Sequence, residues 1–292
     1  MRYRVKATGD LATHLRRLFQ SLSEDIALSL LQACRDSETG IHEARKGCKE
    51  VRALLRLLRP QLGGDTFRRH QQFYRSVAGQ LAGNRDAMVM LNTWRNLQDL
   101  WPELRSEGFR SVDTRLTAEE KIDPISHQGE SFFINLAREL ERERFAAADR
   151  AFPSKRKGLI PSLERIYRKA RKSERIADKS DQIDDFHEFR KRSKDLFYCL
   201  RMLRPLLSKQ AKPTVRALRD MTETQGLVND HAVLLEFLTA QQQAINLSPD
   251  DWSSLQQILH RRINTLQNQA HRKARKLLKA SPSDFIKSLS HP

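Results

Sequence analysis

The sequence predicts an all-α fold, built as two four-helix bundles in tandem. Three observations carry that prediction. Apolar residues recur at three- and four-residue spacing through most of the chain, the period of an amphipathic helix rather than of a strand. Glycine and proline are few, 11 and 10 in 292 residues, so they end long segments rather than break up a loop-rich chain. The chain also repeats itself. Residues 41–62, IHEARKGCKEVRALLRLLRPQL, and residues 186–207, FHEFRKRSKDLFYCLRMLRPLL, agree at 11 of 22 positions at an offset of 145 without a gap. A weaker match at an offset of 144 follows each copy and pairs Arg75 with Arg219, Asp86 with Asp230 and Val89 with Val233. A duplication divides the chain into residues 1–152 and 153–292, one four-helix bundle each.

Helices are expected over 9–36, 40–59, 64–100 (bent around Gly79 to Gly83) and 126–150. Their counterparts are expected over 158–179, 182–204, 211–242 and 250–280. Pro60 and the pair Gly63-Gly64 stop the second helix, and Pro205 stops its counterpart. The stretch 103–125, with Pro102, Gly108 and Pro124 in or beside it, is the least regular. Residues 153–158, PSKRKG, form a basic linker between the repeats. Ser248-Pro249-Asp250-Asp251 is a helix entry: a capping hydroxyl, a proline in the first turn and acids near the positive end of the dipole.

Composition excludes several functions. No run of about 18 uncharged apolar residues exists, so membrane insertion is not expected, and the first ten residues contain no hydrophobic signal. Cys34, Cys48 and Cys199 fit neither a disulfide framework nor a zinc site, so no metal and no cofactor is expected and the compartment is read as cytoplasmic. The 53 basic and 36 acidic side chains leave a net charge of +17, which calls for a polyanionic partner. The excess is local: residues 1–150 hold 25 basic and 21 acidic residues, residues 151–292 hold 28 and 15.

On a wheel of about 100° per residue, His42, Arg45, Lys46, Lys49, Arg52, Arg56 and Arg59 fall on one side of helix 40–59, and Ala44, Val51, Leu54, Leu55 and Leu58 on the other. The acids Glu43 and Glu50 are expected on the flank, outside the basic arc. The second copy repeats the pattern with His187, Arg190, Lys191, Lys194, Arg201 and Arg204, its acids Glu188 and Asp195 again on the flank. Helix 158–179 adds Arg165, Arg168, Lys169, Lys172, Arg175 and Lys179, interrupted by Ile176. The last helix adds His271, Arg272, Arg275, Lys276 and Lys279. A solvated face usually mixes signs, because like charges at i, i+4 destabilise a helix by tenths of a kcal/mol per pair. A like-charged stripe present in both copies points instead to a bound anion, and arginine's planar fork suits phosphate oxygens. Both histidines are expected to contact the ligand and to favour binding when protonated. Arg85-Asp86 and Asn229-Asp230-His231 read as structural, the aspartate orienting a neighbouring basic side chain or capping a helical restart.

The two segments His42-Glu43-Ala44-Arg45-Lys46 with Lys49 and Arg52, and His187-Glu188-Phe189-Arg190-Lys191 with Lys194, resemble the CHAD family, the conserved histidine α-helical domain. Asn84-Arg85-Asp86, Asn229-Asp230 and Tyr167-Arg168-Lys169-Ala170-Arg171 also look like its pattern, and the resemblance covers nearly the whole chain. Phe197 departs from it, standing where the family usually has a basic residue. The resemblance implies two bundles related by a pseudo-two-fold axis, basic helices facing a shared groove, binding of inorganic polyphosphate, and association with polyphosphate granules. The phosphate-contacting set it implies is His42, Arg45, Lys46, Lys49, Arg52 and Arg56 in the first repeat. In the second it is Arg168, Lys169, Lys172, Arg175, His187, Arg190, Lys191, Lys194, Arg201, Arg272, Arg275 and Lys279.

The expected function is therefore non-catalytic polyphosphate binding. Nucleic-acid binding uses the same charges but normally adds aromatic stacking or a recognition helix, and neither stands out here. A histidine phosphotransfer protein is the third reading, carried by His42 followed by Arg45-Lys46-Gly47; the stripe is longer than one phosphoryl group needs, and the second copy lacks the glycine. No carboxylate cluster suits magnesium-dependent phosphate chemistry.

Overall fold

The structure, a computed structural model, describes residues 3–6, 8–81, 84–121, 129–148, 152–180, 182–209 and 211–289. For 84–86, 120–121 and 145–148 it describes the backbone alone, so the side chains of the Asn84-Arg85-Asp86 motif lie outside the described residues. Among the described residues every regular element is a helix. In chain order they are α1 (Leu11–Ala33), α2 (Ser37–Leu57), α3 (Arg59–Leu62), α4 (Gly64–Gln80), α5 (Asn84–Leu100), α6 (Arg110–Lys121), α7 (Gly129–Ala148), α8 (Ile160–Ala177), α9 (Ile183–Leu203), α10 (Ala211–Ala240), α11 (Pro249–Leu277) and α12 (Pro282–Leu289). Short 3₁₀ turns lie at Pro102–Arg105, Glu107–Phe109, Arg156–Leu159 and Arg204–Leu206.

Local chemistry sets the boundaries. Asp10 caps α1, its carboxylate accepting from the Thr13 amide at 2.9 Å, and Asp36 caps α2 by accepting from Thr39 at 3.1 Å. Ser248 accepts from the Asp251 amide at 3.1 Å, so α11 starts where its sequence signal puts it. Ser281 does the same for Asp284 at 3.2 Å and starts α12, a helix the sequence reading left out although Ser281-Pro282-Ser283-Asp284 is the same kind of signal. Two other expectations change. The single bent helix over 64–100 is two helices, α4 and α5, and the irregular stretch 103–125 contains α6 behind two 3₁₀ turns. α10 runs without a break through Asn229-Asp230-His231, so no helical restart occurs there. His231 is instead buried, with Nδ1 donating to the Leu227 carbonyl at 2.7 Å, and burial holds its pKa below the ordinary value.

Contacts group the chain into two compact units that cut across the repeat boundary. One comprises Met1–Leu81, Gln128–Thr222 and Lys273–Pro292; the other Ala82–His127 and Glu223–Arg272. In the first, α2 packs against α1, α4, α8 and α9, α1 packs on α7, and α8 packs on α9 and α12. Helices from both halves of the sequence thus share one core, closed by Leu15, Leu22, Val51, Leu54, Leu55, Phe189 and Leu200, all less than 2% exposed. Each fully buried side chain of this size contributes about 1.5–3 kcal/mol. In the second unit, Trp94 of α5 is fully buried among Leu97, Val112, Leu116, Leu234 and Leu255, and its indole N–H donates to Asp113 at 2.9 Å.

The α1–α2 hairpin is tight. A Cβ at Gly40 would lie 2.5 Å from the Ala33 amide nitrogen and 2.6 Å from the Ser29 carbonyl oxygen, both rigid backbone atoms. Gly40→Ala is therefore expected to destabilise by roughly 1–3 kcal/mol through overpacking. Gly226→Ala, inside α10 with nothing within 4 Å of its Cβ position, is expected to stabilise by about 0.5–1 kcal/mol through backbone entropy. Urea denaturation of the two variants checks both signs.

Candidate anion-binding site

Helix α4 carries Arg68, Gln71, Gln72 and Arg75 on one face, while His70, Tyr74 and Val77 on its other face are buried. That polar face shares a cleft of ≈ 720 Å³, within the first unit, with the end of α2, with Arg165 and Lys169 of α8, and with Arg192 and Asp195 of α9. From α2 and the turn after it come Arg52, Arg56 and Arg59; Phe67, Ser76 and Ile166 complete the lining. Eight cationic side chains meet one carboxylate.

Most of these groups are held from behind. The Arg52 Nε donates to Gln71 Oε1 at 3.4 Å, and the Gln71 amide donates to the Arg52 carbonyl at 2.7 Å, which fixes both across the α2–α4 contact. Arg165 donates to the Arg56 carbonyl at 2.7 Å, near the end of α2, where unpaired carbonyls attract a cation. Arg59 lies over the Phe67 ring at 5.1 Å. Arg192 reaches Glu188 at 2.5 Å and Asp195 at 3.8 Å, and Arg68 pairs with the exposed Asp65. Among the described residues, no carboxylate pairs with Arg52, Arg59, Arg75, Arg165 or Lys169.

The imbalance appears in the titration of the site. Burial, then the charges of Arg192, Arg165, Arg59 and Arg56, hold the Lys169 ammonium below its ordinary pKa. Burial and Arg56 lower Arg52, and burial and Arg59 lower Arg165. Burial raises Asp195 despite the opposing pull of Arg56 and Arg192. An anion placed among cations that disfavour one another's charge would favour their charged forms.

The acids expected on the flanks do otherwise. Glu50 is 1% exposed and meets Arg201 at 2.6 Å; Asp195 is 9% exposed and meets Arg56 at 2.9 Å. Glu50 and Asp195 are the same repeat position, as are Arg56 and Arg201, so the pairs are reciprocal, each joining one copy's arginine to the other copy's acid. An isolated-helix wheel puts these acids beside the stripe; the direct packing of α2 on α9 turns them into the partners of the opposite arginine. Glu43 likewise pairs with Lys46 at 2.8 Å and Glu188 with Lys191 at 3.9 Å.

Of the residues expected from sequence, Arg52, Arg56 and Lys169 line the cleft. His42 and His187 are half-buried outside it, with ring nitrogens 3.6 Å from Glu43 and 3.9 Å from Asp184. Arg45 donates to the Leu81 carbonyl at 3.2 Å, capping the end of α4. Lys46 and Lys49 on α2, and Arg190, Lys191 and Lys194 on α9, lie outside the lining, as does Arg201, whose guanidinium sits over the Tyr198 ring at 5.2 Å. Arg168, Lys172 and Arg175 are exposed along α8. Arg275 pairs with Asp178 at 2.9 Å, Lys279 is exposed beyond the end of α11, and Arg272 is an exposed side chain of the second unit. The site list drawn from sequence omits Arg59 and Arg165, although both fall on the cationic faces read there, and it omits Arg68, Gln71, Gln72, Arg75 and Arg192. The helical spacing of Arg68, Gln72 and Arg75 is legible, but that this face meets α8 and α9 is not.

No helix among the described residues is long and apolar enough to cross a membrane. No curated protein matches the chain. The sequence model of the CHAD domain matches residues 14–239. The crystal structure of the CHAD domain from the plant Ricinus communis is similar, with a TM-score of 0.58 at 15% identity over 99% of this chain and 94% of that one.

Proposed function

The chain belongs to the CHAD domain family, and on that premise we propose that it is a non-catalytic binding protein for inorganic polyphosphate. The family is associated with polyphosphate binding. The observation that carries the reading is the cleft, where eight cations face Asp195 and where burial and neighbouring arginines lower the proton affinity of Arg52, Arg165 and Lys169. A chain of phosphates supplies negative charge at regular intervals and asks nothing of the protein beyond cations and hydrogen-bond donors, which is what this lining offers. Phe67, the aromatic residue of the lining, already lies under Arg59, which disfavours base stacking as the mode of recognition. The cleft anchors the polymer, and the His-x-x-Arg-Lys faces of α2 and α9, with the exposed cations of α8, extend the attraction around it. The reciprocal Arg56–Asp195 and Arg201–Glu50 pairs support a pseudo-two-fold relation between the two repeats, 1–152 and 153–292. In the cell the protein resides in the cytoplasm at polyphosphate granules.

Competition tests the reading. Long-chain polyphosphate is expected to displace bound single- and double-stranded DNA at far lower phosphate concentration than DNA needs to displace polyphosphate; equal exchange in both directions would count against it. A pH dependence follows from Lys169. A bound anion favours its charged form, so its contribution is complete below the lowered free-state pKa and is lost as pH rises through it. Calorimetry on the alkaline side is expected to register proton uptake on binding, absent in Lys169→Ala.

A further inference from the structure

The cleft belongs to one side of the duplicated chain. At the offset of 145, Arg52 corresponds to Phe197 and Arg192 to Gly47. The buried positions of α1 fall on those of α8 at an offset of 144: Phe19 on Leu163, Leu22 on Ile166, Ile26 on Ala170 and Ala33 on Ala177. Arg165 and Lys169 therefore correspond to Ser21 and Asp25. Four cations of the cleft thus have an aromatic, a glycine, a hydroxyl and a carboxylate as counterparts. The space differs too. A Cβ at Gly47 would lie 2.5 Å from Ile26, so α1 packs onto α2 where the other side leaves room for Arg192. Arg201, the counterpart of Arg56, is held by the buried Glu50 and the rings of Phe197 and Tyr198. Arg59 keeps a cation as its counterpart, Arg204, and the wall corresponding to α4 keeps its charges in Lys212 and Arg219, with Arg216 at the place of Gln72.

The cationic rows of the cleft are also short. Arg52 to Arg59 and Arg68 to Arg75 each span seven residues, about 10.5 Å. We propose that the cleft is a self-sufficient receptor for a compact polyanion, a short run of bridged phosphates such as tripolyphosphate or the terminus of a longer chain, at one per protein. This rests on the polyphosphate reading and adds what the cleft itself selects. Density of charge across the cleft determines affinity, and a long polymer binds by seating one segment there.

Calorimetric titration of the full chain with inorganic tripolyphosphate and, separately, with long-chain polyphosphate decides it. Tripolyphosphate is expected to saturate at one per chain. Arg75→Ala/Lys169→Ala, which removes two exposed cations of the cleft, is expected to weaken it tenfold or more. Lys212→Ala/Arg216→Ala, which removes the same charge from the counterpart side, is expected to change it less than threefold. Circular dichroism establishes that both variants fold. Binding of the long polymer without binding of tripolyphosphate overturns the compact receptor and leaves the polyphosphate reading standing. So does equal weakening by the two variants, which would mean net charge rather than the cleft selects the ligand. Failure of both ligands to bind overturns both.

Discussion

Arg201→Ala is expected to destabilise the protein by about 3–5 kcal/mol, the cost of leaving a buried carboxylate without its counter-ion. Glu50 is 1% exposed and Arg201 is its ion partner at 2.6 Å. Arg201 lies on α9 and Glu50 on α2, and the two helices pack directly, so truncating Arg201 leaves the Glu50 carboxylate in that contact without its ion partner. Arg201 also loses its stacking over Phe197 and Tyr198. The double variant Glu50→Leu/Arg201→Met is expected to recover most of the loss, because an apolar pair of similar size removes both desolvation penalties together. Urea denaturation measures both. A single variant within 1 kcal/mol (about fivefold in the unfolding constant) of the parent would show that the pair is solvated and that α2 and α9 are held by their apolar faces alone.

The second large effect falls on binding. Replacing Arg52, Arg59, Arg75 and Lys169 together by alanine is expected to weaken polyphosphate binding by about 10³-fold. Each partly exposed contact is worth roughly 1 kcal/mol after solvent screening, and about 1.4 kcal/mol makes a decade. The slope of log affinity against log salt is expected to flatten by roughly one for each cation removed, since each one releases a counterion on binding. The contrasting variant is His42→Ala/Arg45→Ala/His187→Ala/Arg190→Ala, which empties the sequence motif but spares the cleft. It is expected to lose less, because these groups lie outside the lining and Arg45 already serves the end of α4. A larger loss in the motif variant than in the cleft variant would move the anchor from the cleft to the two histidine faces.

These two predictions separate what could be read along the chain from what could not. The helical period of α1, α2, α8 and α9, the capping signal at Ser248 and the stops at Pro60 and Pro205 are local, and the structure places helix ends within a few residues of them. α12 was within reach, since Ser281-Pro282 is the signal already recognised at Ser248-Pro249. The break between α4 and α5 was harder, because Gly79 is helical and apolar spacing continues on both sides. Within the cleft, Arg52, Arg56 and Lys169 were legible as members of cationic faces. Arg75 and Arg192 were not, because neither belongs to a long stripe. Each matters through residues distant in sequence: Arg192 meets Asp195, which meets Arg56, 139 positions away.

By itself the sequence determined that this protein is helical, that its His-x-x-Arg-Lys segment recurs, and that it is cationic along particular faces. Those properties depend on residues three and four apart, and helix geometry brings such residues together whatever the rest of the chain does. Tertiary packing alone decided which arginines gather in the cleft and which pair with a buried acid. Coulomb energy follows distance through space and the local dielectric, and both are set where α2 meets α4, α8 and α9.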